Sequence, residues 1–173
     1  IIIRRKALPL RFRFQKSGWS PNSLMTGDWQ QAASRLAAEQ LRSSWRPFKI
    51  TRIVDESSVI RSFHLEPADG KGLLVHQAGQ HLPIRVRPDP AGQPVQRTYT
   101  LSTAPSDGHY RISVKRQGLV SQFLHDRLAV GDIIEARAPA GSFVIDPLEE
   151  RPAVLLAAGV GITPMLAMLR SIV

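Results

Sequence analysis

The chain has 173 residues, 43% of them hydrophobic, with no cysteine and a formal net charge of +9. That length accommodates one full domain and part of a second. The lack of cysteine excludes disulfides, thiolate zinc sites and cysteine-ligated iron–sulfur clusters within this stretch, and it fits a cytoplasmic setting. The charge is uneven: residues 1–50 hold ten Lys/Arg against two Asp/Glu, whereas residues 51–173 hold thirteen against twelve. The basic character therefore belongs to the first third, which argues against nucleic-acid binding by the remainder.

Residues 1–27 have no sustained period. The opening "III" runs straight into "RRK", too short for a secretory signal core, and an isoleucine at position 1 suggests a processed or excerpted chain. "LRFRF" alternates like an exposed strand and "SGWSPNS" is rich in turn residues. From Asp28 the pattern turns helical: Asp28 is a candidate cap, Gln31 sits as in a capping box, and Ala33, Ala37, Leu41 and Trp45 recur every fourth residue. The helix should end at Arg46–Pro47.

From Phe48 the period becomes two. "FKITRIV", "VIRSFHLEP", "HLPIRVRP", "QRTYTLS", "YRISVKR" and "DIIEARAP" read as six strands separated by Gly, Pro or Asp turns. One helix, "SQFLHDRL" at 121–128, interrupts them. This pattern predicts an all-β six-stranded antiparallel barrel with a capping helix. The closing section differs. "PAVLLAA" reads as a strand buried on both faces of a parallel sheet, followed by "GVG" and the helical "TPMLAMLRSIV". That order is the opening β-turn-α of a nucleotide-binding domain.

Within "RTYTLST", residues 97–103, strand parity puts Arg97, Tyr99 and Leu101 on one face and Thr98, Thr100 and Ser102 on the other. A guanidinium can clamp a phosphate, a phenol ring can stack on a flat heterocycle, and hydroxyls can bond its ring nitrogens. A plain exposed strand, with Thr chosen for β-propensity, explains the stretch equally well. Further on, Gly118 precedes Ser121 at a helix start, an arrangement that presents free backbone N–H groups to an anion. A simple serine cap after a turn glycine is the alternative.

Taken together, "RTYTLST", "ISVKRQG..VSQFLHD" and "VGDIIEARAPAGSF" resemble, in order and spacing, the FAD-binding domain of the ferredoxin–NADP reductase superfamily, nearest to the reductase part of flavohaemoglobins and oxygenase reductases. The resemblance implies a Greek-key barrel. It implies FAD, with FMN second, held by Arg97 at the phosphates, Tyr99 against the isoalloxazine and Thr100 near flavin N5, with Ser102 nearby. Val114 and Lys115 would line the flavin through their backbone, and Gly118, Val120 and Ser121 would hold the pyrophosphate. Tyr99 and Thr100 would act at the reacting ring. His81 stands where the family often has an aromatic; a base contact and a purely structural histidine are both open.

The terminal "AAGVGITPM" resembles the family's nicotinamide-nucleotide turn, implicating Gly159, Gly161 and Thr163, with Ala158 in place of a common glycine. The implied organisation is a basic extension or remnant of an upstream domain at 1–47, an FAD-binding barrel at 48–150, and the first β-turn-α of an NAD(P) domain at 151–173. The implied function passes electrons from NADH or NADPH through FAD to a haem, a 2Fe–2S cluster or an oxygenase, without a membrane. A non-catalytic FAD-binding or docking fragment is the alternative, because the strands that would complete an NAD(P) site are missing. The other histidines, His64, His76, His109 and His125, have no metal-ligand spacing and read as surface or packing residues.

Overall fold

The computed structural model describes residues 2–3 and 28–173. The "LRFRF" and "SGWSPNS" readings and the Asp28 side chain lie outside the described residues. The first element is a two-residue strand, β1 (Ile2–Ile3). Helix α1 (Asp28–Ser43) follows, but it stops short of the expected end: Trp45 lies beyond it, and Arg46 and Pro47 already belong to the next strand. The first half of the helix's apolar stripe is not covered by the described residues: Ala33 and Ala37 are exposed, whereas Leu41 is half-buried. The helix meets the barrel at its C-terminal end, where the Trp45 ring is clamped between the guanidiniums of Arg85 and Arg137, at 4.6 and 4.5 Å from its centroid.

Six antiparallel strands form one sheet: β2 (Arg46–Ser57), β3 (Ile60–Pro67), β4 (His81–Val86), β5 (Val95–Thr100), β6 (Tyr110–Lys115) and β7 (Ile133–Ala136). They lie in the Greek-key order β5-β4-β7-β2-β3-β6. Period-two patterning sets the faces. In β4, Leu82, Ile84 and Val86 are buried, and in β6 Tyr110, Ile112 and Val114 are buried while Arg111, Ser113 and Lys115 face outward. These join Phe48, Ile50, Phe63, Leu65 and Leu101 in one core, where each large side chain contributes about 1.5–3 kcal/mol by leaving water. The edge strands meet just past the end of β5, where Leu101 bridges Ile112 and the Ser102 N–H bonds the Arg111 carbonyl at 2.9 Å. Upstream of that point β5 is laddered to β4 alone.

A buried ion pair fixes the start of β2. The Arg46 guanidinium, 3% exposed, donates to both carboxylate oxygens of Asp69 at 2.8 and 2.9 Å and to the carbonyls of Lys71 and Gly72. Those bonds hold the Asp69 carboxyl down at about 2. The loop between β3 and β4 is further tied by the Tyr110 hydroxyl, which donates to the Leu74 carbonyl. Helix α2 (Leu119–Arg127) caps one end of the barrel through Val120 and Leu124.

The closing section corrects one expectation. "PAVLLAA" is not a continuous buried strand. Its two-residue β8 (Ala153–Val154) pairs antiparallel with β1, and Val154 and Leu156 are 59% and 80% exposed. A parallel strand needs flanking strands and covering helices, which the described residues do not supply. Helix α3 (Ile162–Ile172) does form, and it packs through Ala167 and Met168 against Ala78. Gly79 permits this approach: its φ is +106°, and a Cβ there would sit 2.1 Å from the Phe143 carbonyl oxygen and 2.6 Å from the Met168 methyl. No helix among the described residues is long and apolar enough to cross a membrane.

Candidate functional site

Strand β5 presents the predicted residues in sequence. Arg97 is exposed, donates to the neighbouring Gln96 carbonyl at 2.7 Å, and has no carboxylate partner among the described residues. Tyr99 is half-buried, its ring packed on the barrel core; burial pushes its phenol up, and the nearby Arg97 charge acts in the opposite direction. Thr100 is half-buried at the strand end. Directly opposite it on β4 stands His81. The His81 backbone exchanges two 2.9 Å hydrogen bonds with Ala140. Gly141, with φ +112°, passes so close that a Cβ there would lie 2.9 Å from His81 Nδ1.

The α2 N-terminus is capped from within. Ser121 Oγ accepts from the N–H groups of Gln117 and Gly118 at 2.9 and 2.8 Å and donates to the Gly118 carbonyl at 2.9 Å. The first helical bond runs from Gln122 N–H to Gly118, so the N–H groups of Leu119, Val120 and Ser121 lie ahead of any helical acceptor. The Val120 side chain is buried, which leaves its backbone as the group able to meet a ligand. Gly118 is extended and open: a Cβ there would meet no protein atom within 4 Å. The β5 guanidinium and core-backed ring, and the free N–H groups over an uncovered glycine at the α2 start, are each of the kind that the pyrophosphate and flat ring of FAD require.

Other predicted residues are placed differently. Ser102 is fully buried, and its hydroxyl bonds the Arg111 carbonyl at 3.2 Å and Ser113 Oγ at 3.3 Å. Its side chain serves the β5–β6 junction. Val114 points into the core, and its carbonyl accepts from His125 Nε2 at 2.8 Å; Lys115 is exposed. Gly159–Gly161 form a 3-10 turn, with Gly159 at φ +55°, and Thr163 Oγ1 donates to the Val160 carbonyl at 3.0 Å. This turn reaches the outer face of β3 and β6. There Val160, Ile162 and Thr163 wall a cleft of about 220 Å³ whose opposite side holds Ile60, Ser113 and the Glu56–Arg111 pair at 2.5 Å.

Sequence reading missed Glu56, Arg111, Ser113 and Gly141. The outward parity of Arg111 and Ser113 was visible, but their neighbours across the ladder were not.

The chain is similar to known proteins in sequence and in fold. Residues 47–145 match the model of the oxidoreductase FAD-binding domain, and the chain belongs to that family. It is 47% identical over 137 residues to the flavohemoprotein of Bacillus subtilis (strain 168), covering 78% of this chain and 34% of that relative. The chain thus spans about a third of the length of the curated relatives it matches. Among solved structures it is similar to the flavohem-like FAD/NAD-binding domain of nitric oxide dioxygenase from Vibrio cholerae O1 biovar El Tor. That likeness has 44% identity and a TM-score of 0.69, covering 73% of this chain and 56% of the other. Flavohemoglobin from Malassezia yamatoensis, solved with bound FAD and heme, gives 28% identity and a TM-score of 0.65, covering 80% and 37%.

Proposed function

We propose that this chain is the flavin-binding reductase module of an electron-transfer protein. In it, NADH or NADPH reduces FAD, and a haem, a 2Fe–2S cluster or an oxygenase receives the electrons. One observation carries the reading: β5 offers in order a guanidinium with no carboxylate partner among the described residues, a core-backed ring and a hydroxyl. Bound flavin supplies acceptance of a hydride and its release as single electrons. The chain's residues bind and orient. Arg97 and the N–H groups of Leu119, Val120 and Ser121 neutralise the diphosphate beside Gly118. Tyr99 stacks on the ring, Thr100 bonds the N5 edge, and the Val114–Lys115 backbone lies along the ring. Because His81 faces Thr100 across the ladder, it belongs with the ring end of the cofactor rather than with a distant adenine. Gly159, Gly161 and Thr163 receive the nicotinamide. The units are an extension at 1–47, the barrel at 48–150 and the start of a nucleotide domain at 151–173. A cytoplasmic setting suits a chain without cysteine.

Refolding with excess FAD, removing free flavin and recording the absorption spectrum tests this. A bound-flavin spectrum with quenched flavin fluorescence is expected, and a colourless protein would refute it. A second reading, a flavin-binding piece without turnover, is favoured by the exposed Val154 and Leu156 beside the predicted nicotinamide turn. Anaerobic mixing with NADH separates the two: rapid bleaching supports the reductase, and a persistent oxidised spectrum supports the second reading.

A further inference from the structure

Away from the flavin strand, two imidazoles meet on the outer face of β3 and β6. His64 Nδ1 lies 2.9 Å from His109 Nε2, and His109 Nδ1 lies 2.9 Å from the Asp107 carbonyl. The ring centroids are 4.9 Å apart while the nitrogens are 2.9 Å apart, so the rings meet edge to edge through a hydrogen bond. The proton positions follow from chemistry. A carbonyl accepts only, so His109 Nδ1 carries its proton and neutral His109 has its lone pair on Nε2. His64 Nδ1 must then donate, and His64 Nε2 is where one further proton can enter with the bond intact. A second further proton would set two N–H groups against each other at 2.9 Å, and the pair would have to part.

What the pair holds is the turn that ties α3 to the barrel. Asp107 ends the 3-10 turn Pro105–Asp107; its carboxylate accepts from the Ala104 N–H at 2.9 Å and pairs with Arg170 of α3 at 3.2 Å. We propose that His64 and His109 form a dyad that binds one extra proton while holding this turn, and with it α3, against the barrel, and that a second extra proton releases them.

The surroundings oppose extra charge. Arg52 of β2 and Arg111 of β6 flank His64 on the two neighbouring strands, with Glu56 offsetting Arg111. Thr51 Oγ1 reaches only the His64 carbonyl, at 3.4 Å. Burial, then His109, Arg111 and Arg52, lower the tendency of His64 to protonate.

The test uses the full chain. Imidazole 15N spectra from neutral to acid pH should show His64 and His109 both as Nδ1–H tautomers when neutral. Amide exchange in α3, corrected for intrinsic rates, should accelerate several-fold at acid pH. That response should disappear in His64→Gln and in His109→Phe. Arg170→Gln should free α3 at every pH while the dyad's tautomers persist. His109 found as the Nε2–H tautomer, or an acid response of α3 that survives in the histidine variants, would overturn the proposal. If a variant fails to fold, the tautomers of the native chain and Arg170→Gln still decide it.

Discussion

His81 and Thr100 face each other across the β4–β5 ladder, and the ring of His81 lies over Gly141. Three separated parts of the chain thus converge where the proposed flavin edge lies. Gly141→Ala tests that convergence. The new methyl would lie 2.9 Å from the imidazole, on a backbone with φ of +112°. We expect a loss of about 1–3 kcal/mol in stability from the strained backbone, and a shift of the His81 ring resonances. Urea unfolding and NMR check the two parts separately.

Arg97→Ala should weaken FAD binding about 10- to 100-fold, as expected for removing charge-assisted bonds of about 1.5–3 kcal/mol. Stability should hardly change, because the exposed guanidinium bonds only its neighbour's carbonyl among the described residues. Fluorescence titration with FAD and a urea midpoint measure both. Equal losses in binding and stability would argue against a phosphate role.

Asp69→Asn should cost about 3–5 kcal/mol by leaving the buried Arg46 charge without its counter-ion. The same pair predicts a pH effect. Asp69 has a folded-state value of about 2 against an ordinary 3.8. Its contribution is therefore complete above pH 4 and is lost as pH falls through about 2. Unfolding curves across that range should show a steeper acid decline for the native chain than for Asp69→Asn.

Trp45→Ala should remove two cation–π contacts, each about 0.5–2 kcal/mol, and free the C-terminal end of α1 from the barrel. Hydrogen exchange should rise along α1 while β2–β7 keep their protection. Uniform loss across the barrel would mean that the indole serves the core instead.

The strands were legible because most of them alternate apolar and polar residues over a core with one wet face, as β4 and β6 do. Helix α2 and α3 were read correctly to within a few residues. The failure at "PAVLLAA" has a physical reason: an apolar run reports a propensity for burial, and burial depends on partners that the run does not encode. Val154 and Leu156 are apolar in sequence and exposed in place. The site divides similarly. Arg97, Tyr99 and Thr100 lie within four residues of one strand, so a local motif was enough to mark them as candidates. The contacts of Ser102 with Ser113, of His81 with Gly141, and of His64 with His109 cross between strands or loops, where a local pattern carries no signal.

The ladder of β5 on one side alone bears on handling as well as on chemistry. From Val95 to Thr100 its other edge is not hydrogen-bonded to a strand among the described residues. Such an edge invites another chain to pair with it. A cofactor lying along this edge would act as a shield against self-association, so the flavin-free chain should cluster with rising concentration while the flavin-loaded chain stays dispersed. Solubility would then depend on loading, and a yellow preparation would keep better than a colourless one.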